Sequence, residues 1–291
     1  MDFVLKMIKK LFYFLILMKS CLLFSQEYHF KLYYQKKGDT ISVLMDNNDP
    51  FPYSFVFFDE PKGENMRSVG EHFSRRFVIR GNTSKVKLAQ FVPLDSKKSF
   101  EIRDISFFKL KKTFLRVSVG DVRKTDYDQN YVYDLPYAKG KMFMVNQGYN
   151  GNQTHHNQNA LDFNLPEGTE IMAAREGIVT SVKQNSTTVC PDKACVNQGN
   201  YVKIIHSDGT VAEYYHLKYD GAKVKMGDKV HKGQIIGLSG NTGYSYGPHL
   251  HFGCYLTDAQ GKQKTIKTLF RTGNNKDKGK YLIEGNRYTN Y

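Results

Sequence analysis

Alternating apolar and polar positions run through the first part of the chain and predict short β-strands. Segments with this period-two pattern occupy residues 29–34, 41–44, 53–58, 77–79, 85–88 and 114–119. Clusters rich in Asn, Asp, Gly and Pro separate several of them, as at 46–50 and 80–83. About seven short strands at such spacings are typical of two packed antiparallel sheets. We therefore predict an antiparallel β-sandwich-like domain over residues 27–122.

The pattern changes after a predicted linker at residues 123–134, which is rich in Asp, Tyr and Asn. Residues 135–256 contain seven of the nine histidines and most of the glycine-marked turns. Residues 263–291 are polar and basic, and we expect a C-terminal tail there with one short strand around Lys280–Ile283. The periodicities together predict an all-β protein.

A basic and then apolar segment opens the chain. The first ten residues contain three lysines, and apolar residues fill 11–18 and 21–24. This order is typical of a secretory signal peptide, and the interruption at Lys19 makes the run short for a membrane span of about 20 residues. We expect cleavage after residue 25 or 26, hence a periplasmic, cell-envelope or secreted protein without a membrane span. An uncleaved N-terminal anchor and lipid attachment at Cys21 are the alternatives.

Composition narrows the class of protein. The chain has 291 residues, of which 40% are hydrophobic and 24% charged, so it is globular rather than disordered. Lys and Arg number 42 against 28 Asp and Glu, a net charge of +14. Such an excess suggests an anionic partner: nucleic acid, a membrane surface or an acidic cell-wall polymer. Export argues against nucleic acid, and we expect a monomer.

Two cysteines frame a short loop. Cys190 and Cys195 bound the segment Cys-Pro-Asp-Lys-Ala-Cys. In an exported protein such a pair is typical of a disulfide that closes a surface loop, whereas a thiolate metal site would need a second pair nearby. We predict a Cys190–Cys195 disulfide.

Three segments carry the candidate chemistry, and each contains histidine: residues 154–163, 209–217 and 247–252. His249 and His251 are two positions apart, so on a strand they share one face about 7 Å apart. The opposite face is apolar through Cys254, which we expect to be buried and reduced. The same alternation places Tyr214 and His216 on one face of their strand.

Two histidines and one carboxylate are the ligands of a typical open zinc site, in which water takes the fourth position. Zinc lowers the pKa of that water towards neutrality and polarises a carbonyl group. A neighbouring imidazole can take and return the proton, because its pKa lies near the working pH. These residue types favour a metal-dependent hydrolase, and we assign no serine nucleophile.

In this order the segments resemble the lysostaphin/LytM family of zinc endopeptidases, which cut peptide crosslinks in bacterial cell walls. The matching stretches are THHNQNALDF, LPEGTEIMAAREGIV, HSDGTVAEYYHL and VKMGDKVHKGQIIGLSGNTGYSYGPHLHF. The last is the most specific, because it joins a Gly-Asp turn, a Ser-Gly-Asn-Thr-Gly loop and a His-x-His strand. The resemblance covers about 135–256 and implies a compact antiparallel β-sheet peptidase domain, which we place at 135–262, with a narrow groove over one zinc ion.

The resemblance also implies a role for each residue. Asp162 and His251 would be zinc ligands. His249 would be the imidazole that handles the proton of the water. His216 would be a second imidazole, outside the ligand set, that hydrogen-bonds the water or the oxyanion.

The first ligand is less certain. The family motif is His-x-x-x-Asp, whereas here six residues separate His155 from Asp162 and five separate His156 from it. The loop before the strand must therefore bulge to bring a histidine back. We favour His155 as the third metal ligand, with His156 as the alternative.

These observations predict an exported zinc endopeptidase that hydrolyses peptide bonds in peptidoglycan stem peptides or crosslinks. Two alternatives stay open. One is an inactive regulator or cell-wall binding module of the same fold, and the other is a zinc peptidase that acts on proteins.

Overall fold

The computed structural model describes residues 28–58, 62–69, 75–102, 115–273 and 278–291. The predicted signal peptide and His72 lie outside these residues. The only helix among the described residues is a 3₁₀ helix, Lys193–Gln198, and all other regular elements are strands. The all-β prediction is confirmed. No helix in the described parts of the chain has the length and apolarity needed to cross a membrane.

The N-terminal region consists of two small antiparallel sheets. Its strands are β1 (Phe30–Lys37), β2 (Thr40–Asn47), β3 (Tyr53–Phe57), β4 (Gly63–Glu64), β5 (Met66–Ser68), β6 (Arg76–Ile79), β7 (Thr83–Pro93), β8 (Glu101–Ile102) and β9 (Leu115–Val119). One sheet has the order β1-β2-β7-β5, the other β6-β3-β9, and β4 pairs with β8. Alternate residues of both sheets, such as Val43 and Phe55, share one apolar core. The predicted sandwich-like arrangement is confirmed.

The rest of the chain is built on one large antiparallel sheet. Its strands and their neighbours are β10 (Val132–Tyr133), β11 (Met142–Gln147), β12 (Ala160–Phe163), β13 (Glu170–Met172), β14 (Gly177–Lys183), β15 (Val189–Cys190), β16 (Asn200–Ile205), β17 (Val211–Ala222), β18 (Lys229–Val230), β19 (Ile235–Ser239), β20 (Gly243–Tyr244), β21 (Leu250–Thr257), β22 (Gln263–Thr265), β23 (Leu269–Phe270) and β24 (Arg287–Thr289). The main path is β18-β14-β16-β17-β21-β12-β11-β24, and β13, β19 and β22 join at its sides.

Two short pairs of strands depart from the antiparallel pattern. β10 pairs with β23, and β15 pairs with β20, both in parallel. The second pair lies outside the large sheet and connects two loops that border the site described below.

The C-terminal residues are part of this fold. Phe270, Leu282 and Tyr288 are buried in its apolar core, and β24 forms the edge next to β11. The strand expected at Lys280–Ile283 is wrong in position, because only Lys280 pairs, in an isolated bridge, and the strand lies at β24. The apolar spacing of these residues is too sparse to indicate burial, since their partners are far away in sequence.

One face of the large sheet packs against the N-terminal sandwich at one end and carries the candidate site at the other. Cross-strand partners on β17 and β21 pair Tyr215 with His251 at one end and Val211 with Tyr255 at the other. Val211, Tyr255 and Ile205 are buried in the core of the N-terminal sandwich. The sandwich therefore covers one end of this face and leaves the end with the histidine to the candidate site.

Candidate metal centre

Asp162 and His251 are cross-strand neighbours on β12 and β21. Their side chains stand on the same face, because directly opposed residues of an antiparallel pair do so. His251 Nδ1 lies 3.0 Å from Asp162 Oδ1. The register of two central strands therefore fixes this half of the centre.

His155 reaches the same point from a long loop. Its Nε2 lies 3.2 Å from Asp162 Oδ1 and 3.1 Å from His251 Nδ1. The side chain of Gln147, at the end of β11, makes two hydrogen bonds to Thr154. Its Nε2 donates to the Thr154 hydroxyl, and its Oε1 accepts from the Thr154 backbone N–H. His155 Nδ1 donates to the carbonyl of Gly148, 3.0 Å away, which leaves Nε2 with a free lone pair.

The two adjacent histidines are separated clearly. His155 is buried, with 1% of its surface exposed, whereas His156 is exposed to solvent. The loop bulges as the long spacing requires, and Gln147 and Gly148 are the residues that close it. Sequence reasoning missed both, because neither carries a signal of its role apart from its position at the end of a strand.

The three donor atoms fit a metal ion. His155 Nε2, Asp162 Oδ1 and His251 Nδ1 form a triangle with sides of 3.0, 3.1 and 3.2 Å. Tetrahedral ligands at about 2.0–2.1 Å from zinc lie about 3.3 Å from one another. The triangle thus has almost the size that a zinc ion requires, with a nitrogen and oxygen donor set that suits it. No other group of three or more metal-binding side chains is found in the described residues.

His249 stands beside the triangle without joining it. It precedes β21, and its Nε2 lies 3.9 Å from Asp162 Oδ1. Its Nδ1 donates to the carbonyl of Gly247, 2.8 Å away. In the neutral ring Nε2 is then the acceptor nitrogen, and it is the ring atom near the centre.

His216 packs on His249, with ring centroids 4.4 Å apart. Its Nδ1 donates to the carbonyl of Thr242 at 2.7 Å, so its Nε2 is also a free acceptor. All five predicted site residues, His155, Asp162, His216, His249 and His251, thus converge on one place.

The expectation that Tyr214 and His216 share a face is wrong. Tyr214 is fully buried in the core, where it packs on Phe252. On β16, Tyr201 pairs with Tyr215 and the adjacent Asn200 pairs with Leu217, so His216 is the extra residue of a β-bulge. Its backbone has a φ of 66°, in the left-handed region. The bulge interrupts the alternation and turns two consecutive side chains, Tyr215 and His216, towards the site.

The charges of the centre follow from burial and contact. Burial opposes ionisation of Asp162, but its close contacts with the rings of His155 and His251 outweigh burial and hold the pKa of this carboxyl far below its usual range. Burial would lower the pKa of His251, but the hydrogen bond and the charge of Asp162 raise it. Burial lowers the pKa of His216 to about 3, and His249 and His251 add to the effect, so His216 is neutral at neutral pH.

A serine also touches the site. Residues 243–247 read Gly-Tyr-Ser-Tyr-Gly, which fits the Gly-x-Ser-x-Gly pattern of serine hydrolases. That pattern requires a strand-to-helix turn, and no helix follows here. Ser245 Oγ donates to Asn241 Oδ1 at 2.6 Å and lies 3.2 Å from His249 Nδ1, on the side away from the metal triangle. It supports His249 rather than replacing the metal chemistry.

The sequence of this region matches a known family. Residues 156–264 match the family model described as peptidase family M23. This part of the chain resembles an M23 peptidase domain. The matched residues include Asp162, His216, His249 and His251, and His155 lies immediately before them. The resemblance seen in the sequence is confirmed.

Curated relatives align with the M23 domain. Peptidoglycan DD-endopeptidase ShyA of Vibrio cholerae is 39% identical over 94 residues, which are 32% of this chain and 19% of ShyA. Glycyl-glycine endopeptidase ALE-1 of Staphylococcus capitis is 30% identical over 142 residues, 49% of this chain and 34% of that protein. Lysostaphin of Staphylococcus simulans is 39% identical over 94 residues, 32% of this chain and 17% of lysostaphin. The chain therefore spans at most about a third of the length of each of these relatives.

Solved structures of M23 proteins are also similar to the chain. The catalytic domain of lysostaphin from Staphylococcus simulans is 30% identical, with 43% of this chain and 82% of that domain covered and a TM-score of 0.30. The catalytic domain of the M23 protein EnpA from Enterococcus faecalis is 28% identical, with 44% and 92% covered and a TM-score of 0.34.

Proposed function

We propose that the protein is an exported zinc endopeptidase that hydrolyses peptide bonds in peptidoglycan stem peptides or crosslinks. The observation that carries the proposal is the triangle of His155, Asp162 and His251 with two further imidazoles beside it. The name of ShyA, a peptidoglycan DD-endopeptidase, supplies the substrate class, and ALE-1 is named a glycyl-glycine endopeptidase. The predicted domain limits, 27–122 and 135–262, belong to the same proposal, except that β10 and the described residues after 262 are built into the second region.

The three ligand atoms would hold one zinc ion. Zinc bound there lowers the pKa of a water molecule and polarises the scissile carbonyl. Gly148 holds His155 with its Nε2 inwards, and the strand register holds Asp162 against His251. Partners behind a ligand raise its affinity for a metal because they fix its orientation.

His249 takes the proton of the attacking water at Nε2 and delivers it to the leaving amine. Its Nδ1–H stays on the Gly247 carbonyl during both transfers, and that carbonyl stabilises the imidazolium between them. Position supports this role, since Nε2 lies 3.9 Å from a proposed ligand atom.

His216 orients the water. Because its pKa is about 3 and its Nδ1–H is bound to Thr242, it offers a lone pair at Nε2 and no proton. It therefore accepts a hydrogen bond from the water, and this favours the water over the oxyanion among the two partners that the resemblance allowed.

The substrate is tested with purified sacculi and with casein, each incubated with the full protein with and without a chelator. We expect soluble peptide fragments from sacculi, lost on chelation and restored by zinc, and identified by mass. The His249→Ala protein, loaded with zinc, is the matched control for contaminating hydrolases. Cleavage of casein alone would move the substrate class to proteins. Binding to sacculi without cleavage would support an inactive binding module.

A further inference from the structure

The loop before β21 orients both imidazoles that lie outside the metal triangle. The carbonyl of Thr242 accepts from His216 Nδ1 at 2.7 Å, and the carbonyl of Gly247 accepts from His249 Nδ1 at 2.8 Å. Ser245 Oγ lies 2.9 Å from the Gly247 carbonyl and 3.2 Å from His249 Nδ1. The positions of these backbone and hydroxyl groups therefore decide which nitrogen of each ring faces the centre.

The two halves of this loop are anchored differently. Thr242 is tied to the large sheet, since its Oγ1 accepts from Asn200 N at 2.9 Å and donates to the Leu217 carbonyl at 2.7 Å. The half that reaches Ser245 is tied instead to β15. Gly243 N donates to the Thr188 carbonyl at 2.7 Å. Ser245 N donates to the Cys190 carbonyl at 3.2 Å.

The segment that supplies this second anchor has little apolar packing. Its 3₁₀ helix, Lys193–Gln198, buries no residue, and Val189 and Val196 are about half exposed. A disulfide joins Cys190 to Cys195, as predicted, while Cys254 is free and buried. With so few buried contacts, the disulfide is a covalent restraint on where the Cys190 carbonyl lies, in addition to the pairing of β15 with β20.

We propose that the Cys190–Cys195 disulfide is a positioning element for His249, acting through Ser245 and the Gly247 carbonyl. The path runs from the disulfide to the Cys190 carbonyl, then to Ser245, and from Ser245 to Nδ1 of His249. We expect His216 to keep its orientation without the disulfide, because the Thr242 side chain has its own anchors in the sheet, although the Thr242 carbonyl shares a peptide unit with Gly243 N. The kinetic part of this inference rests on the proposed function.

The test compares the zinc-loaded wild type with Cys190→Ser/Cys195→Ser. We expect full zinc content, an unchanged KM and a kcat that is lower by about 10-fold or more, but by less than in His249→Ala, since acid–base catalysis contributes about 10²- to 10⁴-fold. Imidazole ¹⁵N spectra are the second readout. In the wild type we expect His249 and His216 as Nδ1–H tautomers, and in the variant mixed tautomers for His249 alone. Lys193→Ser, in the same exposed loop, is the matched control and should behave as wild type.

Ser245→Ala keeps the disulfide and removes the link to His249, so it provides the second arm. The loss of kcat on removing the disulfide should be smaller in the Ser245→Ala background than in the wild type, because both changes act on one path. A variant without the disulfide that has wild-type kcat and an unchanged His249 tautomer would overturn the inference. Loss of zinc from it would do so too, since the disulfide would then support the ligands. A wild type without any activity would refute the proposed function instead, and the ¹⁵N spectra would still decide whether the disulfide orients His249.

Discussion

Two buried polar clusters occupy opposite ends of the hairpin formed by β16 and β17, and they are organised in opposite ways. At one end, His155, Asp162 and His251 turn lone pairs towards a common point. At the other end, Arg175 Nη1 donates to Asp208 at 2.7 Å. Among the described residues, the first cluster contains no permanently charged cation, whereas the guanidinium of Arg175 is the cation of the second.

The second cluster is a network around Arg175, in which Arg175 Nε and His206 Nε2 are buried without a hydrogen-bond partner among the described residues. The guanidinium of Arg175 stacks over Tyr131 at 3.8 Å, and Asp208 also accepts from the backbone N–H and the hydroxyl of Thr210. His206 Nδ1 donates to the Glu176 carbonyl at 2.7 Å, and the ring is buried. The two clusters are thus both buried, but their polar groups are arranged for different roles. Acceptors that converge without a cation indicate a metal site, and acceptors that surround a cation indicate a structural network.

The largest expected effects come from replacing one carboxylate in each cluster by its amide, which tests whether the two clusters differ in role. Asp162→Asn should lose most of its zinc and all measurable hydrolysis, because a ligand charge disappears, and His251→Ala should do the same. Asp208→Asn should keep one zinc per chain but lose about 3 kcal/mol of unfolding free energy, because Arg175 is left buried without its partner. Metal analysis and denaturant unfolding measure the two effects. Full zinc in Asp162→Asn would remove the distinction between the clusters.

The neighbouring histidines of the long loop give a second contrast of similar size. His155→Ala should abolish zinc binding, and His156→Ala should bind one zinc, because only His155 turns a nitrogen to the triangle. Zinc titration of both proteins measures this. The opposite pattern would transfer the ligand to His156, and equal partial losses would mean that the loop has two registers.

A smaller effect is expected from the imidazoles outside the triangle. His249→Ala and His216→Ala should retain zinc while kcat falls by about 10²- to 10⁴-fold, the usual contribution of acid–base groups. Steady-state kinetics on zinc-loaded proteins test this. A zinc-loaded His249→Ala enzyme with nearly normal turnover would rule out its role in proton transfer.

The smallest expected effect is a pH dependence of the stability, which comes from His206 in the network around Arg175. Burial lowers the pKa of His206 to about 4, and its buried Nε2 has no hydrogen-bond partner. The folded state therefore binds fewer protons than the unfolded chain, and stability is lost as the pH falls from about 6.5 towards 4. Between pH 7 and pH 5 the loss is about 2 kcal/mol. In His206→Gln this part should vanish, so the difference between wild type and variant in denaturant unfolding must change with pH.

The sequence was informative where the chemistry follows local alternation. The spacing of His249 and His251 and the apolar positions through Cys254 predicted the two faces of β21 correctly. Six of the nine described strands of the sandwich overlap the predicted segments for the same reason, whereas β4, β5 and β8 were not predicted. The choice of His155 as a ligand came from a resemblance and not from a periodicity, and it stays a prediction.

Features that depend on distant contacts could not be predicted in this way. The bulge at His216 reflects pairing with β16, and no residue type in the segment indicates it. Gln147 closes the long loop through side-chain hydrogen bonds seven residues away in the chain. The C-terminal strand β24 pairs with β11, although more than half of the second region separates the two strands in the sequence. Each of these depends on contacts between segments that are not adjacent in the chain, and a local sequence pattern does not indicate them.

The left-handed backbone of His216 sets activity against stability. A non-glycine residue at this φ costs the folded state about 1 kcal/mol or more, and glycine would remove that strain. A chain optimised only for thermal stability would therefore favour glycine at position 216, whereas a chain that must hydrogen-bond a water there needs the imidazole. Under the role proposed for His216, the bulge lowers the stability of the fold but supplies an imidazole to the site, so stabilised versions of this domain should keep His216.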